Sequence, residues 1–278
     1  MLEDVQGRAD DRQLPIDEVG ITGIRYPVAV LERESGKQDT VAQVSMSVDL
    51  RPEVKGAHLS RFVEVLHDCA GEISPGSIPL ILSALLERLD SHTANISISF
   101  PYFLRRHAPV TGLAAYMDYQ CRIRARLAKD LEVVVAVVVP VTSVCPCSKA
   151  ISDYGAHNQR SHIAIEACTR SDASTPAPLW VEELIDVAEA AASSPLFPLL
   201  KRPDERYVTM QAHDRPVFVE DMAREVAHAL SSDPRIAWFS VEVASDESIH
   251  NHQAFARIHS QSLAAAATQG RLDDRTDA

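Results

Sequence analysis

Residues 41–70, VAQVSMSVDLRPEVKGAHLSRFVEVLHDCA, contain the change of period on which the fold class depends. In the first ten residues apolar and polar side chains alternate, with Val44, Met46 and Val48 on one face, as in a half-buried strand. From Leu59 onward the apolar residues follow the i, i+3, i+4, i+7 spacing of an amphipathic helix. This stretch therefore predicts a strand followed by a helix that packs its apolar side against a sheet.

The flanking segments extend this pattern into a module. A strand-like run precedes the polar turn at 34–39, and a second helical pattern at 78–89 follows the chain break Ser74-Pro75-Gly76. Alternation then returns at 96–100 and at 120–127. The first half is therefore predicted to run strand, strand, helix, helix, strand, strand, as an antiparallel sheet with both helices on one face.

The same order of elements recurs in the second half, although the two halves share no sequence identity. The predicted strands lie at 133–141, 162–167, 237–243 and 253–260, and the predicted helices at 181–188 and 219–230. The first of these strands is almost continuously β-branched, which is typical of a strand buried on both faces. We therefore predict an α+β fold built from two tandem ββααββ modules.

The module boundaries follow from the change of pattern near Lys129–Asp130. The predicted parts are a disordered N-terminal tail at 1–16, a first module at 17–129, a second module at 130–262 and a polar C-terminal tail at 263–278. The sheet face opposite the helices must also be covered. Packing subunits into a larger barrel covers it, so we expect a homo-oligomer.

One stretch, 193–216, has no apolar period and is predicted to be a loop between two helices. Loops of about two dozen residues inside a compact domain are usually functional or disordered. This one is rich in polar and charged side chains, namely Lys201, Arg202, Asp204, Glu205, Arg206 and His213. That composition suits a functional site better than a spacer.

Composition and charge exclude several classes of function. The 278 residues carry a formal net charge of -12, which is unfavourable for nucleic-acid binding because that binding neutralises phosphates. No signal peptide is evident, and the most apolar run, 133–139, is too short to span a membrane. We expect a cytoplasmic protein with neither a nucleic-acid nor a membrane partner. Five cysteines without an export signal also argue against a disulfide framework.

The richest segment for chemistry is 140–161, PVTSVCPCSKAISDYGAHNQRS. It contains the pair Cys145-Pro146-Cys147, and His157 follows twelve residues after Cys145. Thiolate and imidazole are preferred ligands of Zn²⁺ and similar ions. A redox pair would more often be spaced C-x-x-C, and a structural zinc site needs four strong ligands. With so few strong ligands nearby, the sequence favours a catalytic metal site over a structural one.

Two further clusters are candidates. Residues 246–252, DESIHNH, place two acids and the histidines His250 and His252 just after a predicted strand. Glu220 and Asp221 stand in the first turn of a predicted helix, where acids are favoured by the helix dipole without any further role. A solvated surface histidine is likewise the ordinary alternative for each imidazole.

Three segments together resemble type IB GTP cyclohydrolase I. They are TSVCPCSKAISDYGAHNQRSH at 142–162, RPVFVEDMAREVA at 215–227 and ESIHNHQAFA at 247–256, and the resemblance covers about 17–260. It implies the tunnelling fold, with two ββααββ modules per chain assembled as a homotetramer. It also implies GTP as the substrate, 7,8-dihydroneopterin triphosphate and formate as the products, and a place in folate biosynthesis.

The resemblance also implies roles for individual residues. Cys145, His157 and Glu205 match metal ligands, and the family's members differ in using Zn²⁺, Mn²⁺ or Fe²⁺. Glu220 matches the acid that holds the guanine edge, and His250 matches the proton carrier. Further candidates near the site are Cys147, Lys149, Arg160 and His252. The basic residues that hold the triphosphate are left open among Lys149, Arg160, Lys201, Arg202 and Arg206.

Three alternatives remain at the level of sequence. An archaeal relative makes a cyclic phosphate of dihydroneopterin from GTP and would share the same motifs. A tunnelling-fold nitrile reductase uses a nucleophilic cysteine and NADPH, with no need of His157 or a metal. A catalytically inactive pterin- or purine-binding scaffold is the third, and the intact set of site residues argues against it.

Overall fold

The structure is a computed structural model that describes residue 6 and residues 9–34, 36–69, 72–74, 76–169 and 178–261. The predicted C-terminal tail at 263–278 and most of the first eight residues lie outside this description. The first half of the chain consists of β1 (Ile16–Leu31), β2 (Lys37–Leu50), α1 (Leu59–Cys69), α2 (Ile78–Leu89), β3 (Ala94–His107) and β4 (Ala114–Leu127).

The second half repeats that order with additional elements. It consists of β5 (Leu131–Val144), α3 (Pro146–Ile151), β6 (Asn158–Thr169), α4 (Val181–Ala191), β7 (Ser194–Pro195), α5 (Arg202–Asp214), α6 (Val219–Ser231), β8 (Ile236–Asp246) and β9 (Gln253–His259). Three of these, α3, β7 and α5, have no counterpart in the first half.

Neighbouring strands are joined by hydrogen bonds in the order β1-β2-β3-β4-β5-β6-β8-β9, with β7 paired to β5, so the described strands form a nine-stranded sheet. The pairings of β1 with β2, β2 with β3, β5 with β7 and β8 with β9 are antiparallel. An antiparallel sheet with helices confirms the α+β class that the alternating and helical periods predicted.

The chain divides into two compact units, and each has its own core. Unit 1 comprises Met1–Pro101, Cys121–Val135 and Thr169–Trp180. In it, Met46 of β2 lies opposite Ile96 of β3, and both are buried. Helices α1 and α2 contact each other and contribute Phe62 and Leu85 to this core, each with no exposed surface. Full burial of such a side chain stabilises the fold by roughly 1.5–3 kcal/mol.

Unit 2 comprises Tyr102–Gln120, Ala136–Cys168 and Val181–Ala278. Helix α6 packs on β8 and on α4, and Met222 and Val226 of α6 are fully buried. The alternating residues Val241 and Val243 of β8 are fully buried as well. The predicted 3.6-residue and two-residue periods thus mark the core of this unit correctly.

The prediction of a long loop at 193–216 was wrong, because the structure contains β7 and the thirteen-residue helix α5 there. Helix α5 buries only Asp204 and Ala212, so it has no apolar stripe from which a helix could be predicted. It is instead fixed through Asp204, whose carboxylate accepts hydrogen bonds from Lys201 N, Val110 N, Thr111 N and Thr111 Oγ1. A helix held mainly by polar contacts has no signature in apolar periodicity.

Among the described residues, none of the helices combines the length and the apolar composition that crossing a membrane would require.

Candidate active site

The first part of the site is the corner where β5 ends and α3 begins. Cys145 precedes α3 in an extended conformation, and its Sγ accepts a hydrogen bond from Ser148 N at 3.4 Å. Cys145 N donates to His157 O at 3.1 Å, so the start of β6 returns alongside the end of β5. The structure therefore brings Cys145 and His157 together at the backbone, as their shared segment suggested. Cys147, on α3, is exposed.

Two small residues shape the connection between Cys145 and His157. Ser148 Oγ accepts from His157 N at 3.2 Å, so Ser148 contacts both candidate ligands. Gly155 has a φ of 57°, a left-handed conformation that only glycine adopts without strain. Ser148 and Gly155 lie within the segment 140–161, but the sequence predicted no role for either residue.

The imidazole of His157 is linked by side chains to the second predicted cluster. His157 Nδ1 lies 2.9 Å from Gln159 Oε1, and Gln159 Nε2 donates to Glu247 Oε1 at 3.4 Å. Gln159 is only 9% exposed. This His157–Gln159–Glu247 chain joins two motifs that lie about 90 residues apart, and the positions of Gln159 and Glu247 in it were not predicted.

The second cluster forms the turn between β8 and β9. His250 N donates to Glu247 O at 3.3 Å, so Glu247 connects His250 to the His157–Gln159–Glu247 chain through its own backbone. The rings of His250 and His252 are stacked, with centroids 4.9 Å apart and planes 13° apart. Both imidazoles are exposed, which leaves them accessible to a substrate.

Beneath these residues lie three buried hydroxyls, which we call the serine ring: Ser143, Ser161 and Ser245. Ser143 Oγ lies 2.9 Å from Ser161 Oγ and 3.3 Å from Ser245 Oγ, and Ser161 and Ser245 are also hydrogen-bonded. Each is at most 1% exposed. A closed ring satisfies every hydroxyl, because each can donate one hydrogen bond and accept another. The ring ties β5, β6 and β8 together just below the site.

Glu220 reaches the same end of unit 2 through the segment before α6. Val217 N donates to Val144 O at 3.1 Å, which places the start of α6 next to the end of β5. The neighbouring Asp221 accepts from Phe218 N at 3.0 Å and so takes the capping role at this helix. Glu220 is exposed. The simple helix-terminus explanation therefore applies to Asp221, and Glu220 stays available for a ligand.

The third predicted metal ligand is not brought to the other two. Glu205 is exposed in the first turn of α5, and within the described part of the chain no three His, Cys, Asp or Glu side chains are grouped to hold a metal ion. The donor chemistry of Cys145 and His157 still fits a borderline-soft metal. His157 in particular has Nδ1 engaged by Gln159, which is the usual arrangement of a metal-binding imidazole.

The basic candidates differ in their surroundings. Lys149 Nζ donates to His213 O at the end of α5, whereas Arg160, Lys201 and Arg202 are exposed. Arg206 lines a cavity of about 620 Å³ whose other lining residues are Val110, Pro203, Tyr207, Met210, Gln211, Asp214 and Arg215.

The carboxyl that anchors α5 is strongly acidic. Burial would raise the pKa of Asp204, but the hydrogen bonds from Thr111, Lys201 and Val110 outweigh this effect and lower its pKa to about 2. Asp204 is therefore ionised at any working pH and holds α5 in place as a charged acceptor.

The sequence comparisons with known proteins agree on one family. Residues 2–256 match the family model described as type I GTP cyclohydrolase folE2. A protein named GTP cyclohydrolase FolE2 from Methylococcus capsulatus is 49% identical over 92% of this chain and 94% of its own length. The protein of the same name from Magnetococcus marinus is 48% identical over 92% of this chain and 95% of its own.

A solved structure shares the fold. A uricase from Bacillus fastidious superposes with a TM-score of 0.53 over 92% of this chain and 96% of its own, at 8% sequence identity. At that identity the likeness shows the fold and nothing about the reaction.

Proposed function

The chain belongs to the type I GTP cyclohydrolase FolE2 family, and we propose for it a metal-dependent mechanism built on Cys145, His157, Glu220 and His250. Family membership makes it a GTP cyclohydrolase of folate biosynthesis and disfavours the archaeal type of reaction, the nitrile reductase and the inactive scaffold. The proposed products are 7,8-dihydroneopterin triphosphate and formate.

The observation that carries the proposal is the meeting of three motifs at one end of unit 2. Cys145 and His157 are joined at the backbone, Gln159 links His157 to Glu247, and Val217 attaches the start of α6 to β5. These contacts support a single site, because segments that are remote in sequence supply different chemical groups to it.

In this proposal Cys145 and His157 hold the metal, and Glu205, which lies apart from them on the exposed side of α5, would have to approach them to serve as the third ligand. When bound, a divalent ion activates a water molecule for attack on carbon and polarises the ring under attack. Zn²⁺ suits the sulfur and nitrogen donors, and Mn²⁺ or Fe²⁺ is the alternative ion. Cys147, exposed on α3, is a further candidate in this region.

Glu220 is proposed to select guanine. Its two oxygens can accept hydrogen bonds from guanine N1–H and the N2 amino group together. Adenine has no such donor pair, so ATP would leave a desolvated carboxylate unpaired, which costs binding free energy. The exposure of Glu220 and the capping of the helix by Asp221 support this assignment.

His250 is proposed to move protons. It would protonate a guanine ring nitrogen as the bond to C8 breaks, since an imidazole can both donate and accept a proton. Two waters are consumed in opening the ring and releasing C8 as formate. One water leaves when the rearranged ribose closes on the amino groups. His252, stacked on His250, is the next candidate for this role.

The triphosphate requires cations. Arg160, Lys201, Arg202 and Arg206 remain candidates, and Lys149 would have to exchange its hydrogen bond to His213 O for one to phosphate. Arginine is suited to this task because its guanidinium can bind phosphate oxygens in a bidentate manner.

The proposal includes the assembly. The expected modules at 17–129 and 130–262 would each supply a ββααββ unit of the tunnelling fold, and four chains would close a barrel. Among the described strands, β1 and β9 are the ends of the hydrogen-bonded order. Edge strands present free backbone groups, which supports pairing between copies. The molecular mass in solution tests the tetramer.

The activity is tested on metal-stripped protein supplied with GTP and, separately, Zn²⁺, Mn²⁺ or Fe²⁺. We expect formate and a triphosphorylated pterin, detected by fluorescence after oxidation and by mass spectrometry. A cyclic phosphate would instead indicate the archaeal type of reaction, and turnover without any metal would contradict the proposed mechanism.

A further inference from the structure

We propose that Gln159 is a positioning residue that holds His157 in the tautomer with the proton on Nδ1, so that Nε2 is the nitrogen presented to the metal. Glu247 in turn fixes the orientation of the Gln159 amide. The inference rests on the proposed function for the metal itself, but the state of the imidazole can be measured without any metal.

The first step concerns the Gln159 amide, whose two ends differ chemically. Its Nε2 can only donate hydrogen bonds and its Oε1 can only accept them. The carboxylate of Glu247 only accepts, so Nε2 must face Glu247, as it does at 3.4 Å. Flipping the amide would place Oε1 against a carboxylate oxygen, which is unfavourable. Glu247 therefore selects one of the two amide orientations.

The second step concerns the imidazole. With Nε2 turned to Glu247, Gln159 Oε1 faces His157 Nδ1 at 2.9 Å. An accepting oxygen at that distance requires a proton on Nδ1. In a neutral imidazole the lone pair is then on Nε2, which is the form that binds a metal through that atom. Glu247 thus selects the orientation of the Gln159 amide, and that orientation selects the tautomer of His157.

The third step is the rigidity of the arrangement. Gln159 is 9% exposed, so water competes little for its amide. Ser161 lies two residues from Gln159, on the same face of β6, and Ser245 lies two residues before Glu247. The hydrogen bond between these two serines ties the strand ends together directly below the chain of side chains. The serine ring therefore keeps Gln159 within reach of both partners.

The direct test is the tautomer of His157 in metal-free full-length protein labelled with ¹⁵N-histidine. A ring nitrogen that carries a proton has a very different ¹⁵N shift from one that does not, and couplings to the ring C–H protons distinguish Nδ1 from Nε2. The His157 signals are assigned by their absence from His157→Ala. We expect a protonated Nδ1 in the native protein and a mixture of tautomers in Gln159→Leu. A native His157 protonated on Nε2 instead would overturn the proposal.

The second measurement is metal affinity, by competition with a chromophoric chelator. Removing a partner of a metal-binding histidine typically weakens binding about 10–100-fold, and we expect this of Gln159→Leu. The matched control is Gln253→Leu, because Gln253 also donates to a carboxylate, that of Asp246 at 2.6 Å, in the same turn. Gln253→Leu should bind metal like the native protein.

A rescue separates hydrogen bonding from side-chain shape. The double variant Gln159→Glu with Glu247→Gln keeps both bonds with the roles exchanged, because the new carboxylate accepts from Nδ1 and the new amide donates to it. We expect its metal affinity within about threefold of native, against the 10–100-fold loss in Gln159→Leu. Failure of this rescue, or native affinity in Gln159→Leu, refutes the proposal. If His157→Ala itself keeps full metal affinity, the metal assignment fails as well, and that outcome is distinct.

Discussion

The two halves of the chain share one order of elements but differ in their connections and in their buried polar groups. From β1 to β4 the chain has two strands, two helices and two strands, without further elements between them. From β5 to β9 the same order is interrupted by α3 between two strands and by β7 and α5 between two helices. Among the described residues, the buried Ser, Gln, Glu and Asp side chains all belong to the second half: Ser143, Gln159, Ser161, Glu182, Ser193, Ser194, Asp204 and Ser245.

The two halves therefore share an order of elements but differ in what they bury. The first half buries a core that is mainly apolar. The second half places polar side chains inside the protein, which costs free energy unless each is hydrogen-bonded. The serine ring, Gln159 and Asp204 are all so bonded, and they surround or support the candidate site. We infer that the second half carries the chemistry, and four predictions test this contrast.

The largest effect is expected at Cys145. Cys145→Ala should lose bound metal and reduce GTP turnover by at least ~10³-fold, because metal-ion catalysis contributes several kcal/mol and each 1.36 kcal/mol is tenfold in rate. The matched control from the first half is Cys69→Ala, at the end of α1, which should retain both. Metal content by mass spectrometry and formate release measure the two properties. Near-native turnover of Cys145→Ala at saturating metal would refute the thiolate assignment.

The next effect separates two histidines. His250→Ala should keep metal and GTP binding but lose about 10²–10⁴-fold in rate, the usual contribution of one acid-base group. His157→Ala should instead lose metal, and added metal should partly restore its activity by mass action. His92→Ala, an exposed histidine beside Asp49 in the first half, should change neither property.

Single-turnover product analysis sharpens the His250 prediction. His250→Ala is expected to stall at ring opening or at a ring-opened formamide, because the two hydrolytic steps need separate proton transfers. If His250→Ala loses its metal as His157→Ala does, His250 is a ligand and His252 becomes the first candidate for the proton carrier.

A smaller effect is expected at Glu220, the residue proposed to bind guanine. Glu220→Gln should weaken GTP binding by roughly 2–4 kcal/mol, since one acceptor oxygen becomes a donor that faces guanine donors. Its neighbour Asp221 is the control, because Asp221→Ala removes the acceptor for Phe218 N. We expect Asp221→Ala to cost about 0.5–1 kcal/mol of stability and to leave GTP affinity unchanged. Calorimetry that shows equal GTP affinity for Glu220→Gln and the native protein would return Glu220 to a merely structural role.

The smallest effect at working pH concerns acid stability, for which Asp49 of the first half and Asp204 of the second half are compared. Burial would raise the pKa of Asp49, but backbone hydrogen bonds from Thr93 and His92 outweigh it and lower the pKa. The pKa of Asp204 is lowered to about 2 in the same way. A lowered folded-state pKa stabilises the protein above the unfolded value, which is 3.8 for both, and this stabilisation is lost as pH falls towards 2.

Denaturant unfolding between pH 5 and pH 2 tests this assignment. The native protein should lose stability as pH falls from about 4 to about 2. Asp204→Asn and Asp49→Asn should each show a shallower dependence in that window. An unchanged slope for Asp204→Asn would mean that its carboxyl does not anchor α5 as a charged group.

The core and most elements were predictable because apolar periodicity records them. The alternation at 41–50 and the helical spacing from Leu59 reappear as β2 and α1, and the recurrence of both patterns predicted the repeated order of elements. Helix α5 was missed because its contacts are polar and its buried face is small. Cys145, His157 and His250 could be proposed from sequence because chemically unusual groups are clustered around them, whereas the role predicted for Glu220 came from the resemblance to the family.

By itself, the sequence determined the α+β class, the repeated order of strands and helices, and the family, because periodicity and local motifs are properties of the chain. Only the tertiary structure decided which side chains face each other. Gln159 and Glu247 meet although 88 positions separate them, and Ser143 meets Ser245 across 102 positions. Glutamine and serine are common residues with no distinctive spacing in the sequence. Their roles follow from strand pairing, which depends on contacts along the whole sheet rather than on neighbouring residues.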